Sequence, residues 1–327
     1  TTTMRYLCII LLYTCLSSPL LGQFTYDYLT VDYTSAVTYK NLQVIPIRAK
    51  ATFSQSTADQ ATRSSLDYTA LRDAMDRNLL LIRDRAGVNQ LVIDNLSDEP
   101  VILLSGEILR GGKQDRVIAK DIVLLPNSTR NRVSVFCVEE KRWSSPKQWT
   151  YYHEGSMHLR RVVDQSQNQR QVWKEVAYEL KQDNVPSKTR AYTSHSKNPQ
   201  YAALEREYLQ TFVLNAFPDP GNIVGVIGVS GSVVIGCDVF ISEDLFQNEF
   251  AGLIFSYIDE AITYGLPVDI TRGALVQYSD KLFSNERMQR SFIQQYGKSF
   301  THNGQIIHIT TFNDRVALNQ YESLRSY

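Results

Sequence analysis

The first half of the chain alternates short apolar runs with turn-forming residues at close intervals. Six runs have the period of two, or the continuous apolar character, that is typical of strands. They are LQVIPIRAK (42–50), LLLIRD (79–84), QLVIDNL (90–96), VILLSGE (101–107), RVIAKDIVLL (116–125) and RVSVFCVEE (132–140). Because no helical segment separates the last five, the pattern predicts an antiparallel β-rich first half, arranged as a sandwich or a barrel.

The second half changes to helical periodicity. An apolar stripe of Val172, Val176 and Leu180 predicts a helix within 168–183. Further helices are predicted in YAALEREYLQTFVLNAF (201–217), DLFQNEFAGLIFSYIDEAITYG (244–265) and NERMQRSFIQQYGKS (285–299). IVGVIGVSGSVVIGCDVFI (223–241) predicts a β-hairpin that turns at Ser230 and Gly231, and QIIHITTF (305–312) a closing strand. The predicted fold class is therefore α+β, with a helix-covered hairpin or sheet in the second half.

The polar stretch between these halves sets the predicted domain boundaries. Outside its one helix, the chain from Trp143 to Pro199 is polar and predicts loops that are mobile or cover a ligand. Residues 42–327 are predicted to form a single α+β domain, or two subdomains divided near 143–200. Residues 23–41, rich in Tyr and Thr, are predicted to be an N-terminal extension.

The first 22 residues resemble a secretory signal peptide. Met4 and Arg5 precede an apolar run that ends at Gly22. This pattern predicts a protein that is exported, to the periplasm or outside the cell, and a lipoprotein anchor at Cys15 is the less favoured alternative. No later run reaches the roughly 18 apolar residues of a membrane-spanning helix, so no transmembrane segment is expected after the signal.

The charge balance restricts the classes of partner. Lys plus Arg equals Asp plus Glu, at 34 each, so no net field attracts nucleic acid, and any anion must bind locally. Two of the four cysteines, Cys137 and Cys237, follow the signal. A buried thiol, a disulfide and, for Cys137, a nucleophile all remain open.

One local charge cluster follows the third of the five close strands. The segment GEILRGGKQDR (106–116) places Lys, Arg and Glu beside three glycines. Glycines let the backbone approach a ligand, and Lys and Arg supply donors for phosphate or carboxylate. The segment lacks the residues of a P-loop. It predicts either an anion-binding loop or a charged hairpin tip.

A second charged cluster lies at the end of a strand. In FCVEEKRW (136–143), alternation places Val135 and Cys137 on one face of the strand and Phe136 and Val138 on the other, so both faces should be buried. The charges that follow can bind a planar ligand together with Trp143. Alternatively, Arg142 pairs internally with Glu139 and Trp143 belongs to the core.

Metal and dinucleotide sites have little support in the sequence. His153 and His158 are five residues apart in the polar stretch, without a second ligand at a recognisable spacing, so we predict no metal site and no cofactor. The glycines of the 223–241 hairpin lack the strand-to-helix setting of a dinucleotide fingerprint. Asp238 at the end of that hairpin is a possible site residue, but a carboxylate that caps a turn is the commoner case.

Three motifs, GEILRGGKQDRVIAKDIVLLP (106–126), VFCVEEKRW (135–143) and QVWKEV (171–176), together resemble the ARG and rhodanese-phosphatase-associated protein domain, a poorly characterised bacterial family. The resemblance spans residues 42–311. The family pattern falls on Gly106, Glu107, Gly112, Lys113, Gln114, Arg116, Cys137, Glu139, Arg142, Trp143 and Trp173. This chain departs from the pattern at Lys141, where members have Gly. The resemblance implies a setting in the handling of ADP-ribose or NAD-derived metabolites and no particular reaction.

These observations give two functional hypotheses of different classes. In the first, the exported protein binds a small anionic ligand, such as a phosphorylated or nucleotide-derived sugar, with its hydrolysis left open. The predicted catalytic residues are Glu107 and Glu139, and the predicted ligand contacts are Lys113, Gln114, Arg116, Arg142 and Trp143. The alternative is a non-enzymatic envelope or surface module that contacts a protein partner. Neither hypothesis involves nucleic acid.

Overall fold

A computed structural model describes residues 24–53, 68–84, 87, 89–142, 147–213 and 216–312. The predicted signal peptide (1–22) and Trp143 lie outside the described residues, so export stays a prediction. None of the helices that the described ranges contain is long and apolar enough to cross a membrane.

Strands dominate the first half of the chain and return near its end. Their bounds are β1 (Leu29–Val31), β2 (Val37–Tyr39), β3 (Leu42–Ala49), β4 (Thr69–Ala70), β5 (Leu80–Asp84), β6 (Gln90–Asn95), β7 (Val101–Leu103), β8 (Glu107–Gly112), β9 (Arg116–Ile118), β10 (Ile122–Leu124), β11 (Asn131–Cys137), β12 (Lys147–Glu154), β13 (Ile223–Ser230), β14 (Val233–Phe240), β15 (Gly297–His302) and β16 (Gln305–Phe312). The helices are α1 (Leu71–Asp76), α2 (Met157–Ser166), α3 (Gln169–Gln182), α4 (Pro199–Thr211), α5 (Glu243–Thr263), α6 (Arg272–Phe283) and α7 (Glu286–Tyr296), and a 3-10 turn covers Tyr192–Lys197.

The first half forms a six-stranded sheet in the order β12–β8–β9–β11–β6–β5, whose neighbours all pair antiparallel. A small sheet, β10–β7–β4, lies beside it. The two faces of β11 are buried against different side chains, since Val133 and Val135 belong to one apolar cluster and Phe136 and Val138 to another. The predicted α+β class, the antiparallel first half and the two buried faces of this strand are thus confirmed.

A larger sheet combines strands from residues 29–49 with strands from residues 223–312. Its order is β1–β3–β13–β14–β16–β15, with β2 also paired to β3. Residues 29–39, part of the predicted N-terminal extension, therefore supply strands β1 and β2 to this sheet. The β13–β14 hairpin is confirmed, although its turn lies at Gly231 and Ser232, one residue beyond the prediction. The division into domains stays a prediction.

The central element is α5. Ser242 caps its first turn by accepting a hydrogen bond from the Leu245 N–H, and Glu243 and Asp244 stand where the helix dipole favours negative charge. Apolar residues lie on every side of the helix, which is typical of a buried one. It lies against β13 and β14 of the large sheet on one side and β12 of the other sheet on the opposite side. Its polar residues therefore reach the middle of the molecule.

The polar stretch from Trp143 to Pro199 corrects the sequence analysis. The predicted helix is confirmed as α3, but where loops were predicted the described residues also form strand β12, helix α2 and the 3-10 turn. Ser156 and Asn168 cap the two helices with their side chains, a local signal that the polar composition masked. Helix α6, strand β8 and strand β15 were also not predicted, and the run 116–125 divides into β9 and β10, which belong to different sheets.

Neither Cys137 nor Cys237 forms a disulfide, and both are buried. The disulfide alternative is therefore wrong for these two residues. Burial raises the pKa of each thiol, so neither thiolate is favoured at neutral pH, and the buried structural thiol is the interpretation that fits.

Candidate functional site

The glycines of the 106–116 segment give room to large neighbouring side chains. Gly112 has φ +47°, and a Cβ there would lie 2.2 Å from the ring of Trp149 on β12. Gly106 has φ +108°, and its Cβ would lie 2.6 Å from the side chain of Arg160 on α2. Both positions need glycine for backbone conformation and for close packing, independently of any ligand.

Arg142 is the centre of an internal hydrogen-bonded cluster. Its Nε donates to Glu139 at 2.6 Å, and one terminal nitrogen donates to Asp115 at 2.8 Å. The two terminal nitrogens also donate to the backbone carbonyls of Gly112 and Gly111, both at 2.9 Å. This is the internal pairing between Arg142 and Glu139 that the sequence left as the alternative, and it occupies the guanidinium on three sides.

The neighbouring predicted contacts are also largely turned inward. Gln114 donates to the Glu139 carbonyl at 2.8 Å, and Arg116, 2% exposed, donates to the Gln114 carbonyl at 3.1 Å and lies 3.6 Å from Asp84. The Lys113 backbone N–H donates to Asp84 at 2.9 Å, while its side chain is half-buried. The structure brings Gln114, Arg116, Glu139 and Arg142 together; their role in ligand binding stays a prediction.

Glu107 lies in a different place from Glu139. It is fully buried, and its Oε2 accepts a hydrogen bond from the Leu104 N–H at 2.6 Å, whereas Oε1 has no partner within the described part of the chain. Burial, and then the charges of Glu249 and Glu154, raise the pKa of Glu107 well above its usual range. The two predicted catalytic carboxylates therefore do not form one pair.

A buried ion cluster, which we call the Arg160 centre, lies between the sheets. It consists of Arg160, Asp238, Glu154, His308 and Tyr257. Arg160 binds Asp238 through both terminal nitrogens, at 2.8 and 3.1 Å, and its Nε lies 3.0 Å from Glu154. His308 and Tyr257 complete the contacts to Asp238 at 2.9 and 2.6 Å. Burial opposes ionisation of Asp238, but the Arg160 charge and the hydrogen bonds hold its pKa well below the usual range. Asp238 is thus a buried ion-pair partner and not a turn cap.

A second polar region begins at a β-bulge in β12. Tyr151 pairs with Leu109 and Glu154 with Glu107, so three steps along β12 oppose two along β8. The extra residue breaks the alternation of side chains. As a result the side chains of Tyr152 and His153, which regular alternation would place on opposite faces, lie side by side, with ring centroids 3.8 Å apart.

Arg110, in the glycine-flanked segment, covers this bulge. Its guanidinium lies 4.5 Å from the centroid of the Tyr152 ring, and one nitrogen donates to Ser196 at 3.1 Å. The Nε of Arg110 is buried and has no hydrogen-bond partner among the described residues. No carboxylate in the described ranges lies within ion-pair distance of Arg110, in contrast to Arg142. Arg110 is therefore the arginine of the 106–116 segment that has no acidic partner among the described residues.

Beneath this arginine lies a cluster that we call the His153 centre, made of His153, Glu205 and Asp259. One ring nitrogen of His153 and one carboxylate oxygen from each of the other two lie within 4.8 Å of one another. Tyr192 and Tyr201 donate their hydroxyls to Asp259, at 2.6 and 2.8 Å. Three elements meet here: the end of β12, helix α4, which carries Glu205, and helix α5, which carries Asp259.

Local sequence explains how α4 presents Glu205. Asn198 caps the helix by accepting from the N–H groups of Gln200 and Tyr201, and Pro199 occupies its first position. Tyr201 and Glu205 are four residues apart, so both point to the same side of the helix, and both are buried.

The electrostatics of the His153 centre favour a neutral imidazole beside two poorly ionised carboxyls. Burial lowers the pKa of His153 to about 3. Burial raises the pKa of Glu205 to about 7, and burial together with the Glu205 charge raises that of Asp259 to about 7. The two carboxyls titrate as a pair, so these values belong to both.

Sequence analysis selected none of these three residues as ligands. His153 was considered and set aside as a histidine of a polar loop. The one signal in the sequence was Asp259, a carboxylate inside the otherwise apolar run of α5, where an ionisable group needs a partner. A cleft of about 130 Å³ elsewhere, between α6, α7 and the start of β14, shares no residue with either centre.

Comparison with known proteins gives one match. The family model of the ARG and Rhodanese-Phosphatase-superfamily-associated Protein domain matches residues 30–312. No curated protein and no solved structure matches.

Proposed function

The chain belongs to the family of ARG and Rhodanese-Phosphatase-superfamily-associated Protein domains, and from this premise we propose that it binds and hydrolyses a small anionic ligand. The ligand class is a phosphorylated or nucleotide-derived sugar, in keeping with the setting that the family name suggests. The proposed contact is Arg110, and the proposed place of water activation is the His153 centre below it.

The observation that carries this proposal is the contrast between Arg110 and the other arginines of the motif. Arg142 and Arg116 are held by internal acceptors, whereas Arg110 has one hydroxyl and one aromatic face as its contacts. A guanidinium with free donors matches the oxygens of phosphate or carboxylate.

Hydrolysis needs groups that can hold or move a proton close to the ligand. The His153 centre brings an imidazole and two carboxyls within 4.8 Å of one another, and such groups can orient and activate a water. Arg110 lies over the Tyr152 ring, and the Tyr152 and His153 ring centroids are 3.8 Å apart, so a ligand on Arg110 would lie on the side of Tyr152 that the guanidinium covers, next to the His153 centre.

The test uses thermal shift and isothermal titration with inorganic phosphate, AMP, ADP-ribose, ribose 5-phosphate and uncharged ribose. We expect at least one anionic ligand to raise the melting temperature through mass action, and ribose to have no effect. Arg110→Gln should weaken binding at least tenfold, which is about 1.4 kcal/mol. The matched control is Arg132→Gln, an exposed arginine that also lies on a strand, and it should bind as the parent does.

Other outcomes locate the site elsewhere. If Lys113→Ala abolishes binding and Arg110→Gln does not, the anion binds at the loop tip and the Arg110 proposal is wrong. Product release, followed by chromatography of each nucleotide ligand, tests hydrolysis; binding without release would confine the function to binding.

The interaction module stays a prediction. A continuous exposed apolar surface would support the interaction-module hypothesis. The large exposed apolar side chains of the described residues lie on separate elements, at Leu81, Leu96, Leu125, Val213, Leu266, Val276 and Met288.

A further inference from the structure

The His153 centre has the composition of a metal site. Its three residues come from three elements that are distant in sequence, and their ligand atoms lie within 4.8 Å of one another. One imidazole and two carboxylates are ligands that zinc and manganese accept, and three protein ligands leave positions for water or substrate.

The hydrogen bonding of His153 leaves one nitrogen for a ligand. Its Nδ1 lies 2.6 Å from the backbone carbonyl of Glu154. Because a carbonyl oxygen only accepts, Nδ1 carries the proton and Nε2 carries the lone pair. Nε2 has no partner within the described residues, although His153 is only 4% exposed. Histidines that bind metals commonly donate their other nitrogen to a backbone carbonyl in this way.

The carboxylates are arranged in a similar manner. Asp259 accepts hydrogen bonds from two tyrosines, one on each oxygen, which hold its orientation. Glu205 is 8% exposed, and its Oε1 has no partner in the described part of the chain. No Lys or Arg of the described ranges forms an ion pair with either carboxylate. Two buried carboxylates without a cationic side chain require either a shared proton or a bound cation.

The orphaned atoms separate these two possibilities. A proton shared by Glu205 and Asp259 would satisfy the carboxyl pair but would leave Nε2 of His153 without a partner. A cation would take the Nε2 lone pair and both carboxylates together.

We propose that His153, Glu205 and Asp259 bind one divalent transition-metal cation, Zn²⁺ or Mn²⁺, with Tyr192 and Tyr201 as residues that position Asp259. In the proposed function, this cation would activate the attacking water. Cation binding itself does not depend on Arg110 or on any anionic ligand.

The experiment is titration of the chelator-treated, dialysed protein with Zn²⁺, Mn²⁺ and Mg²⁺, without any phosphate or nucleotide present. Isothermal titration measures affinity, and elemental analysis after gel filtration measures stoichiometry. We expect one Zn²⁺ or Mn²⁺ per chain and weaker binding of Mg²⁺, which prefers oxygen ligands. Glu205→Gln should weaken binding at least tenfold.

The matched control is Glu249→Gln. Glu249 is also a buried glutamate with an Oε1 that lacks a partner in the described chain, but it lies beside Glu107 and Glu154, away from the His153 centre. Its substitution should leave cation affinity within twofold of the parent. Equal weakening by both substitutions, or none by Glu205→Gln, would overturn the assignment of the site.

Circular dichroism checks that each metal-free variant is folded. If Glu205→Gln does not fold, the parent protein decides the question with Co²⁺, because its visible absorption reports the coordination geometry. A stoichiometric spectrum that Zn²⁺ displaces supports the site. Absence of binding by any of these cations would show that the carboxyl pair holds a proton instead.

Discussion

The Arg160 centre and the His153 centre lie on two sides of the same helix but satisfy their charges differently. Tyr257 and Asp259 of α5 belong to one centre each, and two residues correspond to about 200° around a helix axis. In the Arg160 centre a guanidinium faces two carboxylates, with bidentate pairing to Asp238. In the His153 centre two carboxylates face a neutral imidazole and two phenols.

The difference distinguishes buried charges that pair with each other and stabilise the fold from buried charges that can bind a ligand. A buried carboxylate that faces a guanidinium has its charge balanced within the protein. A pair of buried carboxyls without a Lys or Arg partner among the described residues needs a proton or a cation. Unpartnered polar atoms occur in both centres, at Glu154 Oε1 and His308 Nδ1 in one and at His153 Nε2 and Glu205 Oε1 in the other, so the guanidinium is what distinguishes them.

The largest expected effect comes from breaking the Arg160 centre. Arg160→Met removes the positive charge and leaves Asp238 and Glu154 buried without it, so the free energy of unfolding should fall by about 3 to 5 kcal/mol. Urea unfolding followed by circular dichroism measures this change. A loss below about 1 kcal/mol would mean that solvent reaches these carboxylates and that Arg160 is not needed to balance their charge.

Metal removal should affect the other centre by a smaller amount. At a free cation concentration one hundred times the dissociation constant, binding to the folded state adds about 2.7 kcal/mol to the free energy of unfolding. Chelation should therefore lower the melting temperature of the parent protein. Glu205→Gln should show little response to the chelator, and a response equal to that of the parent would separate any metal effect from the His153 centre.

The Arg142 cluster extends the comparison to a partly exposed arginine. Arg142→Met removes hydrogen bonds to two carboxylates and two carbonyls, and we expect a loss of about 2 kcal/mol. The matched control is Arg190→Met, which breaks an exposed ion pair with Glu140 and should cost less than about 1 kcal/mol. Denaturant unfolding of both variants gives the difference, and equal losses would contradict the internal role of Arg142.

A fourth prediction concerns pH. The folded-state pKa of Glu107 is raised by burial and by Glu249 and Glu154. The folded state therefore retains a proton that the unfolded chain loses near pH 4, and the stability that Glu107 contributes is present below that pH and is lost as pH rises towards the folded pKa. Glu107→Gln should remove this term, so its stability should fall less with rising pH, by at most about 1.4 kcal/mol per pH unit. Parallel pH slopes for parent and variant would contradict the raised pKa.

Sequence patterns predicted the elements whose apolar residues follow a regular period. The β13–β14 hairpin, β3, β11 and the helices α3, α4, α5 and α7 follow from periods of two and 3.6. Strand β12 did not, because polar residues and a bulge interrupt its alternation. Helix α2 contains Arg160 and His158, whose burial depends on partners far along the chain.

The candidate site was predictable only in part. The 106–116 segment was selected correctly as a place of unusual charge, but sequence could not show which arginine remains without an acidic partner. That distinction depends on the folded structure, which brings Glu139 and Asp115 within ion-pair distance of Arg142. His153, Glu205 and Asp259 lie about fifty residues apart from one to the next, and no local spacing relates them.

The β12 bulge also has a consequence for how this sequence can evolve. Loss of the codon for Tyr152 or for His153 would restore regular pairing with β8 between Tyr151 and Glu154. Gain of one codon at the same point would recreate the present arrangement. A single insertion or deletion can therefore add or remove this histidine during evolution, while the apolar pattern of the surrounding strands stays the same.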